Sequence, residues 1–219
     1  MRISTTAKSS TVGLLLKKGF TLIELLVSMG IIVMITSVAL VQHNQFNETL
    51  ALTNLAYEVG LSVRQAQVFG LSVREFTGSS GVTANLYGVH FDYIQSEPET
   101  RLKYVLYADN DGNNNFSGDS ETVETTTITR GNYIDKFCAT RNNSTVCSDS
   151  LTDSAVAAIS SMSIRFDRPN PDAIIVVDNG DVQYEEAVIF LKSKDGAATR
   201  CVVVRLTGQV SIDSTCATP

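Results

Sequence analysis

One carboxylate, Glu24, stands inside a run from Phe20 to Val41 that is otherwise almost wholly apolar. An ionised acid there costs about 3 kcal/mol unless it is neutralised, reaches the interface or meets a cation, so Glu24 calls for a partner. Oxygen-rich chemistry is concentrated in Asp109-Asn110-Asp111-Gly112-Asn113-Asn114-Asn115, followed by Asp119 and Glu121, where Asp109, Asp111 and Asn113 alternate in the way Ca²⁺ ligands do. An EF-hand would place glycine at its sixth loop position and glutamate at its twelfth; Asn114 and Ser120 occupy these, so an Asn/Asp/Gly turn bonded to its own backbone is the favoured reading. Cys138, Cys147, Cys201 and Cys216 form no Cys-x-x-Cys pattern, and an even count in an exported domain reads as disulfides. Three pairings are open to them; 138 with 147 and 201 with 216 closes two short sequential loops and needs the least rearrangement of neighbouring strands. His43 and His90 lie in no nucleophile-elbow, zinc or phosphate-loop pattern, so no enzyme activity and no cofactor is expected.

These groups need elements to position them. A helix over Phe20–Val41 would extend about 33 Å, enough to cross the hydrocarbon of a bilayer. Lys17 and Lys18 sit at its start, which places that end in the cytoplasm and the rest of the chain beyond the membrane. No small-residue cleavage site follows Val41, so the apolar run is retained. Leu52, Leu55, Val59, Val63, Ala66, Phe69 and Val73 continue at steps of three and four, predicting one amphipathic stripe on a helix that ends between Gly70 and Val73.

Strand-like segments follow at 72–76, 86–93, 102–108, 122–129, 161–167, 174–177, 187–192, 201–206 and 209–212, with exposed loops at 113–119 and 142–153. The fold class is therefore α+β, a long N-terminal helix packed on antiparallel sheet. The net charge is −6, and because the first nineteen residues hold four basic groups and no acid, the remainder stands at −10. Such a body repels phosphate backbones and argues against nucleic acid as a partner. Only Lys192, Lys194, Arg200 and Arg205, on adjacent closing strands, could form a local basic surface.

Lys17-Lys18-Gly19-Phe20-Thr21-Leu22-Ile23-Glu24-Leu25-Leu26-Val27 closely resembles the processing site of type IV prepilins and type II secretion prepseudopilins. The resemblance implies that a membrane aspartyl peptidase, the prepilin peptidase, cuts after Gly19 and methylates the amine of Phe20, leaving Glu24 to pair with such an amine on a neighbouring subunit. Leu61-Ser62-Val63-Arg64-Gln65-Ala66, Tyr87-Gly88-Val89-His90-Phe91 and Val202-Val203-Val204-Arg205-Leu206-Thr207-Gly208-Gln209-Val210 are similar to pieces of the GspH/FimT family.

These resemblances together imply a pilin fold with a leader at 1–19, a transmembrane half-helix at 20–42, an amphipathic half-helix at 43–73 and a periplasmic β-rich domain at 74–219. They imply a minor pilin or pseudopilin of a type IV pilus or type II secretion pseudopilus, single-pass in the inner membrane and later part of a fibre with other pilin subunits. A DNA-binding minor pilin of an uptake pilus is the alternative.

Overall fold

The computed structural model describes residues 19–72, 86–94, 96–149 and 158–216, so the segment expected to be a strand at 72–76 lies almost wholly outside the described residues. The chain divides into two units, Met1–Asn44 and Gln45–Pro219. Helix α1, Leu22–Leu71, contributes residues to both.

In the first unit, α1 holds the apolar segment Leu22–Leu40, of mean hydropathy 2.3, with none of it buried against protein. Two of its hydroxyls bond locally: Ser28 donates to the Leu25 carbonyl at 2.9 Å and Thr36 to the Ile32 carbonyl at 2.8 Å. Such bonds suit polar side chains to surroundings without water.

Among its described residues the second unit carries ten strands: β1 Leu86–Asp92, β2 Lys103–Asp109, β3 Thr122–Thr127, β4 Tyr133–Arg141, β5 Ser144–Cys147, β6 Ser161–Asp167, β7 Ile174–Val177, β8 Glu186–Lys192, β9 Thr199–Arg205 and β10 Val210–Asp213. They form two five-stranded antiparallel sheets, in the orders β3-β2-β1-β6-β7 and β10-β9-β8-β4-β5. The sequence points to a sheet or pair of sheets; the structure has a pair.

One face of each sheet and one face of α1 share a core. Leu52, Leu55, Ala56, Val59, Val63 and Ala66 of the helix pack with Val89, Phe91, Ile164 and Phe166 of the first sheet and Phe137, Ile189, Val202 and Val204 of the second. Gly70 is part of this packing: a Cβ there would lie 2.6 Å from the Phe166 carbonyl oxygen, so the helix end can approach β6 only without a side chain. The end is closed by Ser72, whose N–H bonds the Val68 carbonyl at 3.0 Å and whose hydroxyl bonds that of Phe69 at 3.2 Å.

Two strands escape the sequence reading. β4 was not anticipated at all, and β5 occupies part of the stretch expected to be a loop at 142–153. The register of β4 against β8 shifts between Ile134 and Lys136, which puts the inward residues Ile134 and Phe137 three apart and destroys the two-residue alternation that marks a strand. Asn142 and Asn143 both adopt positive φ, at 48° and 62°, and make the tight turn between the two strands.

Candidate functional site

Four places in the chain gather the residues with chemical potential, and the first is the start of α1. Thr21 caps the helix: its Oγ1 accepts the Glu24 N–H at 3.3 Å while its carbonyl accepts that of Leu25 at 3.2 Å. Thr21-Leu22-Ile23-Glu24 has the spacing of a capping box, so Glu24 stands in the first turn, where orphan N–H groups and the helix dipole favour an acid. Gly19 and Phe20 precede the helix and are exposed, and nothing lies within 4 Å of a Cβ built on Gly19. The Gly19–Phe20 backbone thus lies just ahead of the helical hydrogen bonds. Thr21 was not singled out from sequence, although the Thr-x-x-Glu signal was there to find.

The second place is the outer face of the later half of α1. Besides the core stripe, Phe46, Leu50, Tyr57, Leu61 and Val68 recur in steps of four and seven and are 44% to 66% exposed. At 100° per residue they form a second apolar stripe on the opposite side of the helix from Leu52, Val59, Val63 and Ala66. One amphipathic stripe was expected, and two are present. Beside the outer one, Tyr57, Gly60, Leu61, Arg64, Val210 and Ile212 line a groove of about 420 Å³ between α1 and β10.

The third is the acidic loop between β2 and β3. Asp109, Asp111 and Glu121, rather than Asp109, Asp111 and Asn113, bring carboxylate oxygens within 4.8 Å of one another. Asn113 instead donates to Asp111, from its N–H at 3.0 Å and its side-chain amide at 2.8 Å. Asp109 accepts the N–H groups of Gly112 at 2.8 Å and Asn114 at 2.9 Å, and Glu121 those of Asn110 at 3.3 Å and Ser117 at 2.7 Å. Burial pushes the Glu121 carboxyl up against the pull of its backbone donors, while the Asn113 N–H holds exposed Asp111 low. Three carboxylates this close could hold a hard divalent cation, which would compete with the backbone N–H groups for the same oxygens.

Phe116, from the same loop, covers the fourth place. Its ring packs at a tilt against His90, with centroids 4.6 Å apart, and against Tyr107 at 5.3 Å. Beneath it, His90 Nδ1 meets Ser163 Oγ at 2.7 Å and His90 Nε2 meets Asp92 Oδ1 at 3.0 Å. Serine, histidine and aspartate in a chain are the ingredients of a nucleophile and its base. Ser163 is 2% exposed, and the chain satisfies polar groups in the outer layer of the first sheet. The bond to His90 holds the Asp92 carboxyl below its usual range.

Both disulfides lie on the outer layer of the second sheet. Cys138 is bonded to Cys147, its direct cross-strand partner, and Cys201 to Cys216, and around them Val188, Phe190 and Val203 are buried. The four basic residues named from sequence do not gather. Arg205 faces Glu186 at one end of the β8–β9 pair, bonding it at 3.1 Å, while Lys192 and Arg200 lie toward the other end. Lys192 is committed to Asp135 at 2.9 Å, which raises its pKa, and Arg200 donates to the Thr199 carbonyl at 2.9 Å. Lys194 packs along Gly131 in the turn beyond.

An apolar N-terminal helix followed by antiparallel sheets is an α+β arrangement consistent with a pilin fold. Residues 15–40 match the prokaryotic N-terminal methylation motif, a type IV pilin-like prepilin signal that makes the chain a candidate prepilin-peptidase substrate. No characterised protein and no solved structure matches the chain significantly.

Proposed function

We propose that this chain is a minor pilin or pseudopilin of the GspH/FimT type, a structural subunit and not an enzyme, serving a type II secretion pseudopilus or a type IV pilus. The observation that carries the reading is the join at residue 19: an exposed Gly19–Phe20 bond directly before a capped helix whose first turn holds Glu24 and whose apolar segment, Leu22–Leu40, is not buried against protein. The prepilin peptidase cuts that bond and methylates the new amine of Phe20. Before assembly the helix crosses the inner membrane once, with the β-rich domain in the periplasm, where the disulfides of Cys138–Cys147 and Cys201–Cys216 persist.

Assembly transfers the apolar helix from lipid to a bundle of like helices, and Glu24 then meets the methylated amine of a neighbour, which relieves the cost of an isolated acid. Intact mass and N-terminal sequencing of the full chain, expressed with and without a prepilin peptidase, test the reading. A mature chain beginning at N-methylated Phe20 only when the peptidase is present is the expected result. An intact leader, or a cut beyond Val41, would overturn it.

A further inference from the structure

The outer stripe of α1 contains one charge. Arg64 lies three residues after Leu61 and four before Val68, on the same side of the helix, and is exposed. Its Nη2 donates to the Val210 carbonyl at 3.2 Å, which fixes the guanidinium at the edge of the groove beside Tyr57 and Leu61. None of the ion pairs among the described residues involves Arg64. Glu58, six positions earlier, lies a third of a turn away around the helix and cannot face it.

Two requirements follow for anything that covers this face. Apolar residues in steps of four and seven over 22 positions, about 33 Å of helix, fit the ridge of a second helix rather than a loop or sheet edge. Covering the stripe also removes water from Arg64, and a guanidinium with a single carbonyl partner is then costly unless an acid reaches it.

In the helix bundle of the subunit reading above, the outer stripe faces an apolar α-helix of a neighbouring subunit; we propose that this helix presents a carboxylate to Arg64. The apolar ridge fills the groove beside Leu61 and supplies most of the contact. Arg64 sets partner choice and register, because a helix without the acid, or with it a turn out of place, leaves the cation buried and unpaired. The inference rests on the subunit reading above and adds to it the chemistry of the partner.

The test uses the full chain with a photoreactive benzoylphenylalanine at position 61, expressed with the prepilin peptidase and the other subunits of its own machine, and reads the cross-linked peptide by mass spectrometry. The expected adduct is to an apolar helical segment with Asp or Glu within one turn of the linked residue. Arg64→Glu should lower its yield about tenfold, equivalent to about 1.4 kcal/mol. Arg64→Gln, which removes the charge but keeps a polar side chain at an exposed site, guards against a folding defect and should also lower the yield, while Arg64→Lys should retain it. An adduct to lipid, to a loop or sheet, or to a helix without an acid overturns the proposal, as does a yield indifferent to Arg64→Glu. Cleavage after Gly19, followed in the same samples, separates the outcomes: lost cleavage sinks the subunit reading, and cleavage retained with an insensitive adduct sinks the seam alone.

Discussion

The ring of Tyr107 lies across the backbone of Gly88, so that a Cβ at residue 88 would stand 2.7 Å from Tyr107 Cε1 and 2.9 Å from the Ile164 carbonyl oxygen. Tyr107 thereby reaches over β1 and is wholly buried, with Leu86 and Val105 beside it and Phe116 above.

Gly88→Ala should therefore destabilise the protein by about 1–3 kcal/mol, because neither the Tyr107 ring nor the β6 backbone can move aside without unpacking the layer. Gly60→Ala is the contrasting case. Its Cβ would meet nothing nearer than Ile212 and Val210 side chains at 3.6 Å, and alanine improves a helix by up to about 1 kcal/mol, so stability should hold or rise. Thermal unfolding of both variants of the full chain in detergent, followed by near-ultraviolet circular dichroism, checks the pair.

Asp92 should give the protein a distinct acid sensitivity. Its folded carboxyl titrates below the unfolded value of about 3.9 because His90 bonds the ionised form. A depressed acid stabilises the folded state above its unfolded pKa, and that contribution disappears as pH falls through the folded pKa. Asp92→Asn should thus lower stability at pH 6 and flatten the loss of stability below about pH 4. Denaturant midpoints collected from pH 6 down to about pH 2 decide it, and parallel curves for the two proteins would reject the coupling.

How much of this was legible in the sequence follows from what each signal depends on. The apolar segment, the methylation motif and the core stripe of α1 are local patterns of residue type, and they could be read directly. The second stripe was obscured because Leu50, Leu61 and Val68 are as apolar as Leu52, Val63 and Ala66, and sequence alone cannot say which side meets the sheets. β4 was lost to its bulge, and the Ser163–His90–Asp92 chain was invisible because it forms only when β1 pairs with β6 and opposes His90 to Ser163.

Glu121 anchors the acidic loop more than its sequence position suggests. It is fully buried, and its two oxygens accept the N–H groups of Asn110 and Ser117, near the two ends of the loop. Glu121→Gln replaces one acceptor by a donor and leaves a backbone N–H without a partner, at a cost of about 1–3 kcal/mol. Amide hydrogen exchange at residues 110–117 should accelerate and Phe116 should lose its fixed contact with His90, whereas unchanged protection would mean that the loop is held by Phe116 alone.

The disulfides should contribute unequally in one respect and alike in another. Each closes a short loop, with separations of 9 and 15 residues, so chain entropy gives each about 2–3 kcal/mol. Cys138–Cys147 joins strands already paired by β-hairpin hydrogen bonds, while Cys201–Cys216 ties β9 to residues beyond the last strand. The Cys201→Ser/Cys216→Ser variant should therefore expose the C-terminal segment to limited proteolysis before any general unfolding, and the Cys138→Ser/Cys147→Ser variant should lose midpoint stability without that early cut.

Glu24→Val is the sharpest test of the assembly chemistry, because the substitution is apolar, keeps the helix able to enter a bilayer and leaves Gly19, Phe20 and the Thr21 cap in place. On the proposed reading cleavage and methylation act on the backbone ahead of the helix, so mature chain should accumulate in the membrane at its usual level. Incorporation should fall, since the amine of a neighbouring Phe20 would enter the bundle without a counter-charge and carry the full cost of a buried cation. Shearing fibres from cells and quantifying the subunit against the membrane fraction measures the ratio; Glu24→Asp, which keeps the acid, should lose less. Equal incorporation of Glu24→Val and the parent chain would remove the charge pair from the account of assembly and leave apolar packing of α1 as its driving force.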